Sequence, residues 1–546
     1  MEAPIIRTCK SAAIALLLAG TLAVPAAAST PTIDLTDYVK ARAADAGGDA
    51  RRAAAGYAAA LDATPGNGLV AIRAYRAAME ADDTALADRA LAVLDASNVA
   101  PMDGALWRLA AAVAAKNDKA ATQAIEALKA GPLAFTIPIL KAWQAQGRKR
   151  DPFAALGSGV ENPLFKRYGA ENRALLQIAR GNVKDGIAGI RAVSGPDQAG
   201  LDARINAARL LAGTGHGDEA RALLAGRDPE VAEVAAGLGK GARPSFGFGV
   251  SQLLARLAGD LAVGDPTPLS IVLSRAALRA DPANDRVRLL LAASLSDLGE
   301  TALALETLDA VEADGPFGPA AADARVTVLA DAGDEARALA TASALAAAPG
   351  ADAAAAQRYG DQLVTAERYA EAAKAYDTAI ARAGDRATWL FWLQKGGALE
   401  QAGNWAEARP ALEKALAMAP NEPLVLNYLG YSSLEHGGDP TKALALIERA
   451  SKLEPDDPAI TDSLAWAYFR LGDTAKALPL LQEAAQNAPA DVEINEHLGD
   501  AYWKAGREYE ARYAWRAAAV YAEGEDAARI AGKIEHGLHA QESAAR

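Results

Sequence analysis

The chain is poor in the residues that build reactive sites. Its 546 residues include one cysteine, five histidines and only 5 % aromatic residues. The cysteine, Cys9, lies close to the N-terminus, ahead of an apolar run, so thiol catalysis and disulfide bonds are excluded for the rest of the chain. The sequence also contains no H-E-x-x-H, G-x-S-x-G or S-x-x-K motif. We therefore expect no enzyme activity, no catalytic residues and no cofactor.

Two weaker patterns for ligand chemistry also fall short. His536 and His539 could share a helix face, but a zinc site needs three or four ligands, so we expect no metal site. A glycine-rich stretch surrounds Lys240, yet the G-x-x-x-x-G-K-[ST] spacing of a phosphate loop is absent. We interpret this stretch as a turn between two blocks of repeats.

Basic residues are outnumbered by acidic residues, 56 to 69, which gives a formal net charge of −13. Nucleic-acid binding requires a basic surface that neutralises phosphates, so we expect no nucleic-acid partner. After Ala28, no stretch is an uncharged apolar run of the length that a membrane-spanning helix needs, which predicts no later integral membrane span.

The segment from Met1 to Ala28 has the pattern of a secretory signal peptide. Arg7 and Lys10 precede an apolar run at 12–24, and small residues at 26–28 form a cleavage site before Ser29. An uncleaved N-terminal anchor is the alternative interpretation. The pattern predicts a periplasmic or secreted protein, with peripheral association with the outer membrane as a variant of that location.

A regular period dominates the C-terminal half. One alanine position recurs at equal intervals, at Ala443, Ala477 and Ala511. A second small position recurs almost as regularly, at Gly430, Ala465 and Gly499. A proline closes each of three successive units, at Pro420, Pro455 and Pro489. A period of about 34 residues, with a small residue on each of two helices and a final proline, resembles the tetratricopeptide repeat (TPR) family.

The resemblance implies an all-α fold, a right-handed superhelical solenoid of helix-turn-helix TPR and TPR-like repeats. Tyr468, Tyr502 and Trp515 fall on core positions of the pattern. The predicted organisation is a signal peptide at 1–28, degenerate TPR-like repeats at 29–235, an irregular Gly/Pro-rich connection at 236–268, a TPR array at 269–522, and a capping helix with a tail at 523–546.

In TPR arrays the first helix of each unit, helix A, lines a concave groove. The resemblance therefore selects ten residues as a candidate partner-binding groove: Asn427, Tyr431, Leu434, Asp462, Trp466, Phe469, Arg470, Glu496, Asp500 and Trp503. Trp466 and Phe469 are three positions apart and share a helix face, which suits aromatic anchors for a peptide or a partner helix, with the charged residues as a polar rim. Alternatively, both aromatic residues pack on the neighbouring unit and only stiffen the array.

Three segments, at 423–431, 462–472 and 494–503, are similar to exported TPR proteins of Gram-negative bacteria. These include adaptor lipoproteins of a carboxyl-terminal processing protease, although this chain lacks their lipid-bearing cysteine. The likeness implies a non-catalytic scaffold or adaptor of the cell envelope, with an envelope protease or a cell-wall enzyme as a partner. The alternative is a structural component of an envelope polysaccharide or secretion assembly.

Overall fold

The computed structural model describes residues 36–157, 162–226, 229–262 and 268–538. These residues form helices joined by turns and contain no strand, which confirms the all-α prediction. The predicted signal peptide and His539 lie outside the described residues. Within the described part of the chain, no helix is both long and apolar enough to cross a membrane.

The chain divides into two compact units at Ala100 and Pro101. The described residues of the first unit form α1 (Thr36–Ala46), α2 (Ala50–Ala63), α3 (Gly68–Ala81) and α4 (Thr84–Ala96). Side chains of Asp49, Asn67 and Asp83 accept backbone N–H groups in the first turns of α2, α3 and α4. These caps satisfy donors that the helices cannot pair internally, and they separate the apolar run at 75–94 into two helices.

The second unit begins with nine helices of uneven length. They are α5 (Gly104–Ala114), α6 (Asp118–Ala127), α7 (Ile137–Gly147), α8 (Phe153–Leu156), α9 (Pro163–Ala179), α10 (Val183–Val193), α11 (Gln198–Gly213), α12 (Gly217–Leu224) and α13 (Pro229–Gly237). Short 3-10 turns at Leu128–Ala130 and Pro132–Thr136 connect α6 to α7. Prolines therefore interrupt the regularity around 131–163 without removing its helices.

The next six helices are α14 (Phe246–Leu261), α15 (Pro268–Ala280), α16 (Asp285–Asp297), α17 (Thr301–Asp309), α18 (Gly318–Asp331) and α19 (Glu335–Ala347). The stretch expected as a connection thus contains a long helix, α14, which packs on α15 as the first helix of a pair. Ser245 begins α14 by accepting the N–H of Phe248 at 3.0 Å. Gly249 is needed in α14, because a Cβ there would lie 2.1 Å from the ring of Trp143.

The remaining eleven helices form the most regular part of the second unit. They are α20 (Ala353–Thr365), α21 (Tyr369–Ala383), α22 (Trp389–Gln401), α23 (Trp405–Met418), α24 (Pro423–Glu435), α25 (Pro440–Leu453), α26 (Pro458–Arg470), α27 (Thr474–Asn487), α28 (Val492–Lys504), α29 (Glu508–Ala519) and α30 (Gly524–His536). Even-numbered helices from α20 to α28 are helix A of their unit, and the following odd-numbered helices are helix B.

The small positions of the repeat are where helices A and B cross. A Cβ on Gly499 would lie 2.3 Å from the indole of Trp515, and one on Gly430 would lie 2.7 Å from Ile447. Trp515 is fully buried, as predicted, whereas Tyr468 and Tyr502 are half-buried against a neighbouring cluster that includes Ala477 and Leu481. The close approach of the two helices therefore explains why these positions recur as Gly or Ala.

Capping residues set the turns between units. Asp457 accepts the N–H groups of Ala459 and Ile460, both at 2.9 Å, at the start of α26. Glu422 holds the equivalent place before α24 but makes no side-chain hydrogen bond there. Within a unit, Gly472 has φ +84 and ends helix A in the left-handed conformation that glycine adopts readily.

Candidate functional site

The ten predicted groove residues lie on three consecutive A helices, α24, α26 and α28. We call the surface formed by Asn427, Tyr431, Asp462, Trp466 and Phe469, together with Glu493 and His497, the A-helix face. The small residues of each A helix point to helix B, so these larger side chains lie on other sides of the helix. Side chains of neighbouring A helices meet here, where His497 of α28 contacts Asp462 and Trp466 of α26.

Trp466 lies in a stack of three rings. Its centroid is 3.8 Å from that of His497, at an interplanar angle of 12°, and 4.9 Å from that of Phe469. The indole Nε1 donates to Glu435 at 2.8 Å, and Trp466 is only 3 % exposed. Trp466 therefore packs on the neighbouring unit, in agreement with the second of the two interpretations, while Phe469 stays half-buried.

His497 is the buried charge of this cluster. Its Nδ1 lies 2.9 Å from Oδ2 of Asp462, and the residue is 7 % exposed. Burial acts to lower the pKa of His497, but the carboxylate of Asp462, with Glu493 and Asp500, raises it to about 9. At neutral pH the ring is therefore an imidazolium, and both of its nitrogens are donors.

Tyr431 connects α24 to α28 across the intervening α26. Its hydroxyl hydrogen-bonds Glu493, and its ring centroid is 6.4 Å from that of His497. Burial, reinforced by Glu493, raises the pKa of Tyr431, so the phenol stays protonated and donates. The A-helix face is thus closed over Asp462 by side chains from three helices.

The predicted acidic rim is not open in the structure. Glu496 and Asp500 are 4 % and 3 % exposed, and they lie under α30. Arg529 donates to Glu496 at 2.9 Å, and Lys533 donates to Asp500 at 2.7 and 2.9 Å. An exposed rim at these two residues is therefore wrong, because the C-terminal helix brings two cations to them. Binding of a partner at these positions stays a prediction.

Burial and the basic residues of α30 have opposite effects on the pKa of Glu496. Burial raises the pKa of this carboxyl, but hydrogen bonds from Arg529 and the charge of Lys533 outweigh it and hold the pKa at about 2. Asp500 accepts an additional hydrogen bond from the indole of Trp515 at 2.9 Å, yet burial keeps its pKa raised. The network ties α30 to α28.

Two acceptor oxygens on the A-helix face have no hydrogen-bond donor among the described residues. They are Oδ1 of Asn427 and Oδ1 of Asp462, both inaccessible to solvent. The two residues occupy the same position in successive units, and Glu496 occupies it in the third. An unsatisfied buried acceptor costs about 1–3 kcal/mol, so a pair of them on one surface is a place where added donors would be stabilising.

The other predicted residues are distributed between core and surface. Leu434 is 2 % exposed and belongs to the core with Ile447. Arg470 is half-buried and donates to Glu435 at 2.8 Å. Trp503 is half-buried under the guanidinium of Arg512, which lies 4.8 Å from the ring centroid. The predicted residues that keep accessible surface are therefore Asn427, Tyr431, Phe469, Arg470 and Trp503.

Sequence reasoning missed His497, Glu493 and Glu435. His497 was counted only among scattered histidines, although it directly follows Glu496 on the predicted face. Its position could have indicated this role, because His497 lies about one repeat after Asp462 of α26. In the described part of the chain, His, Cys, Asp and Glu side chains form no group of three that could hold a metal ion.

Models of the tetratricopeptide repeat match residues 359–423 and 393–458, and a second such model matches 458–501. These segments run from α20 to α28 and include the A-helix face. Residues 359–501 of this chain are therefore tetratricopeptide repeats. TPR proteins are generally non-catalytic scaffolds for protein–protein interaction. No curated protein matches the chain.

Several solved structures are similar to part of this TPR protein. A TPR protein of Thermus thermophilus is 19 % identical, with 34 % of this chain and 99 % of that chain covered and a TM-score of 0.31. A TPR protein from Parabacteroides merdae is 14 % identical, with 47 % and 99 % covered and a TM-score of 0.40. MamA from Desulfovibrio magneticus is 19 % identical, with 32 % and 97 % covered and a TM-score of 0.28.

Proposed function

We propose that this TPR protein is a non-catalytic scaffold or adaptor that binds a segment of a partner protein on its A-helix face. The observation that carries the proposal is the pair of buried acceptors, Asn427 Oδ1 and Asp462 Oδ1, that lack donors among the described residues. They lie at equivalent positions of successive units, one unit apart, so a segment lying across the A helices would meet both after displacing the side chains that cover them.

The surroundings of these acceptors suit a peptide segment. Backbone N–H groups and the side chains of Lys, Arg, Asn or Gln are the donors that a partner protein can offer. Tyr431 and Phe469 keep accessible ring surface beside the acceptors, and aromatic residues of this kind are frequent anchors at interfaces. A bound segment would displace Tyr431 from Glu493, which is 62 % exposed and can rehydrate.

We further propose that the protein works in the bacterial cell envelope, in the periplasm, as a secreted protein, or associated peripherally with the outer membrane. The support is the leader pattern in residues 1–28, with Arg7 and Lys10 ahead of an apolar run. An envelope protease or a cell-wall enzyme is the partner class that the sequence resemblance favours. A structural subunit of a polysaccharide or secretion assembly remains the competing role.

Site-specific photo-crosslinking in the producing cells tests the surface. A photoreactive phenylalanine analogue is placed at Tyr431 or Phe469, and at Tyr509 or Tyr513 as matched controls on the exposed face of α29. We expect the same partner band from 431 and 469 and none from 509 and 513. Equal crosslinking from all four positions, or crosslinking only from α29, would refute binding at the A-helix face.

A competition arm separates an adaptor from a structural spacer. A partner that binds transiently should be lost from the 431 and 469 adducts when purified, unmodified protein is added in excess to permeabilised cells. A stoichiometric assembly subunit should persist and should also appear at α29. The second pattern would favour the assembly role over the adaptor.

A further inference from the structure

A second polar site lies among the first helices of four helix pairs that precede the A-helix face in the chain. A cavity of about 270 Å³ is enclosed by α9, α11, α14 and α16, each of which is the first helix of its pair. This volume exceeds by far the about 15 Å³ that one water molecule requires. The cavity is separate from the A-helix face, because its lining residues lie between 167 and 290.

The charges in the cavity wall are balanced. Asp260 accepts from Arg167 at 3.0 Å and from Arg256 at 2.8 Å. Asp202 accepts from Arg286 at 2.9 and 3.3 Å, in a two-pronged contact. Each guanidinium therefore already pairs with a carboxylate. A charged ligand would be attracted by one member of each pair and repelled by the other, so its net charge would gain little.

Gln252 supplies a free acceptor at the centre of this wall. It is 1 % exposed, and its Nε2 contacts two acceptors, Oδ1 of Asn172 and the carbonyl oxygen of Gly249. Because both partners of the amide nitrogen are acceptors, the assignment of nitrogen and oxygen is consistent. The Oε1 atom has no donor among the described residues, although Gln252 lines the cavity.

The neighbouring ion pair is also incompletely satisfied. Nε of Arg256 lies 3.6 Å from Oε2 of Glu171, which is too long for a hydrogen bond. Neither Nε of Arg256 nor Oε1 of Glu171 has a hydrogen-bond partner in the described chain. Burial raises the pKa of Glu171 to about 7, against the opposing charge of Arg256. The region thus offers unused donors and unused acceptors side by side.

We propose that this cavity binds a small, uncharged, hydroxyl-rich ligand, namely one saccharide unit. A hydroxyl group both donates and accepts, so a single ligand group can satisfy Gln252 Oε1 while its neighbour accepts from an arginine. The cavity is near the lower end of the about 300–1,000 Å³ range of ligand sites, which suits a single ring. Gln198, Asn206 and Asn284 add further polar groups on the remaining sides.

The buried Trp143 provides a reporter for the site. Its Nε1 donates to Oδ1 of Asn172 at 2.7 Å, and this same oxygen accepts from Gln252. Trp143 is fully buried and does not line the cavity. A ligand that engages Gln252 should therefore shift the indole N–H resonance of Trp143 without touching its ring.

Binding is measured on the full chain by titration calorimetry and by the indole N–H resonances. The probes are glucose, galactose, mannose and N-acetylglucosamine, each with a matched trisaccharide, together with inorganic phosphate and spermidine as charged probes. We expect saturable binding of at least one neutral sugar, a shift of the Trp143 resonance, and no binding of either ion. If the trisaccharide binds with comparable affinity, the ligand is the end of a glycan. If the trisaccharide does not bind, the ligand is a free sugar.

Variants tie the binding to the cavity. Gln252→Met keeps the side-chain length and removes the free oxygen, and should weaken sugar binding at least tenfold. Gln357→Met is the matched control, because Gln357 also lies on a first helix but donates to Gln394 far from the cavity. If Gln252→Met fails to fold, Asn206→Leu narrows the cavity from another helix and should have the same effect.

Five results would overturn the proposal, four from the binding measurements and one from crystallography. These are no binding of any neutral sugar, binding of phosphate or spermidine in place of sugar, unchanged affinity in Gln252→Met, and equal loss of affinity in Gln357→Met. A high-resolution crystal structure grown with the best sugar that showed only ordered water in the cavity would also overturn it.

Discussion

His497→Phe removes a buried charge while keeping a flat ring against Trp466. In the native chain the pKa of His497 is about 9, compared with the ordinary 6.5. At about 1.4 kcal/mol per pKa unit, this difference corresponds to roughly 3 kcal/mol of stability. Because the folded-state pKa is raised, the contribution is fully present below pH 6.5 and is lost as the pH rises through 9.

The measurement is urea unfolding of the full chain, followed by circular dichroism, at pH 6 and at pH 9.5. We expect the free energy of unfolding to fall between the two values by about 3 kcal/mol more in the native chain than in the variant, since Glu171, whose pKa is about 7, titrates in both. The variant should lose most of this dependence and should be less stable at pH 6, because Asp462 is left buried without its partner. Tyr431 does not interfere, since its pKa is raised above this window.

His436→Phe is the matched control. His436 also stacks on a tryptophan, with its centroid 4.6 Å from that of Trp405, and contacts Glu400 at 3.0 Å. It is exposed, so its ion pair should contribute less than about 1 kcal/mol. If His497→Phe kept the native pH dependence between pH 6 and 9.5, the pair of His497 and Asp462 would not be its source.

Two further substitutions test the packing of the last unit. Gly499→Ala forces a Cβ against Trp515 and should cost about 1–3 kcal/mol in chemical unfolding, whereas Gly532→Ala, with no atom within 4 Å, should be neutral or slightly stabilising. Equal effects of the two would contradict the close helix crossing. Lys533→Met should cost about 3–5 kcal/mol, and the double variant with Asp500→Leu should recover much of that loss. Failure of the double variant to recover would mean that the salt bridge is not what ties α30 to α28.

The A-helix face changes what the repeat pattern implies about binding. The predicted aromatic anchor Trp466 is used inside the protein, between His497 and Phe469. The unused hydrogen-bonding capacity lies instead at Asn427 and Asp462, beside Tyr431. A partner segment would therefore gain more from donors placed over these acceptors than from an aromatic pocket alone.

The sequence alone determined the class of fold and the places of the helix crossings. Each alanine or glycine that recurs at the repeat period marks a close crossing with the second helix of the pair, where Gly499, for example, leaves no room for a Cβ beside Trp515. Helix caps such as Asp457 also depend only on nearby sequence, because a capping side chain accepts hydrogen bonds from N–H groups in the next turn of the chain. The glycine-rich pattern at 236–268 predicted only an irregular connection, whereas this stretch contains α14, which begins at Phe246.

Only the tertiary structure decided how the predicted surface is used. Contacts between successive A helices join residues a full repeat apart, such as Asp462 with His497, and Tyr431 reaches Glu493 across two units. No local sequence pattern predicts these distances, since they depend on how each repeat packs against the next one. The same holds for Glu496 and Asp500, which have the composition of an exposed acidic rim. They are buried because α30 brings Arg529 and Lys533 onto them.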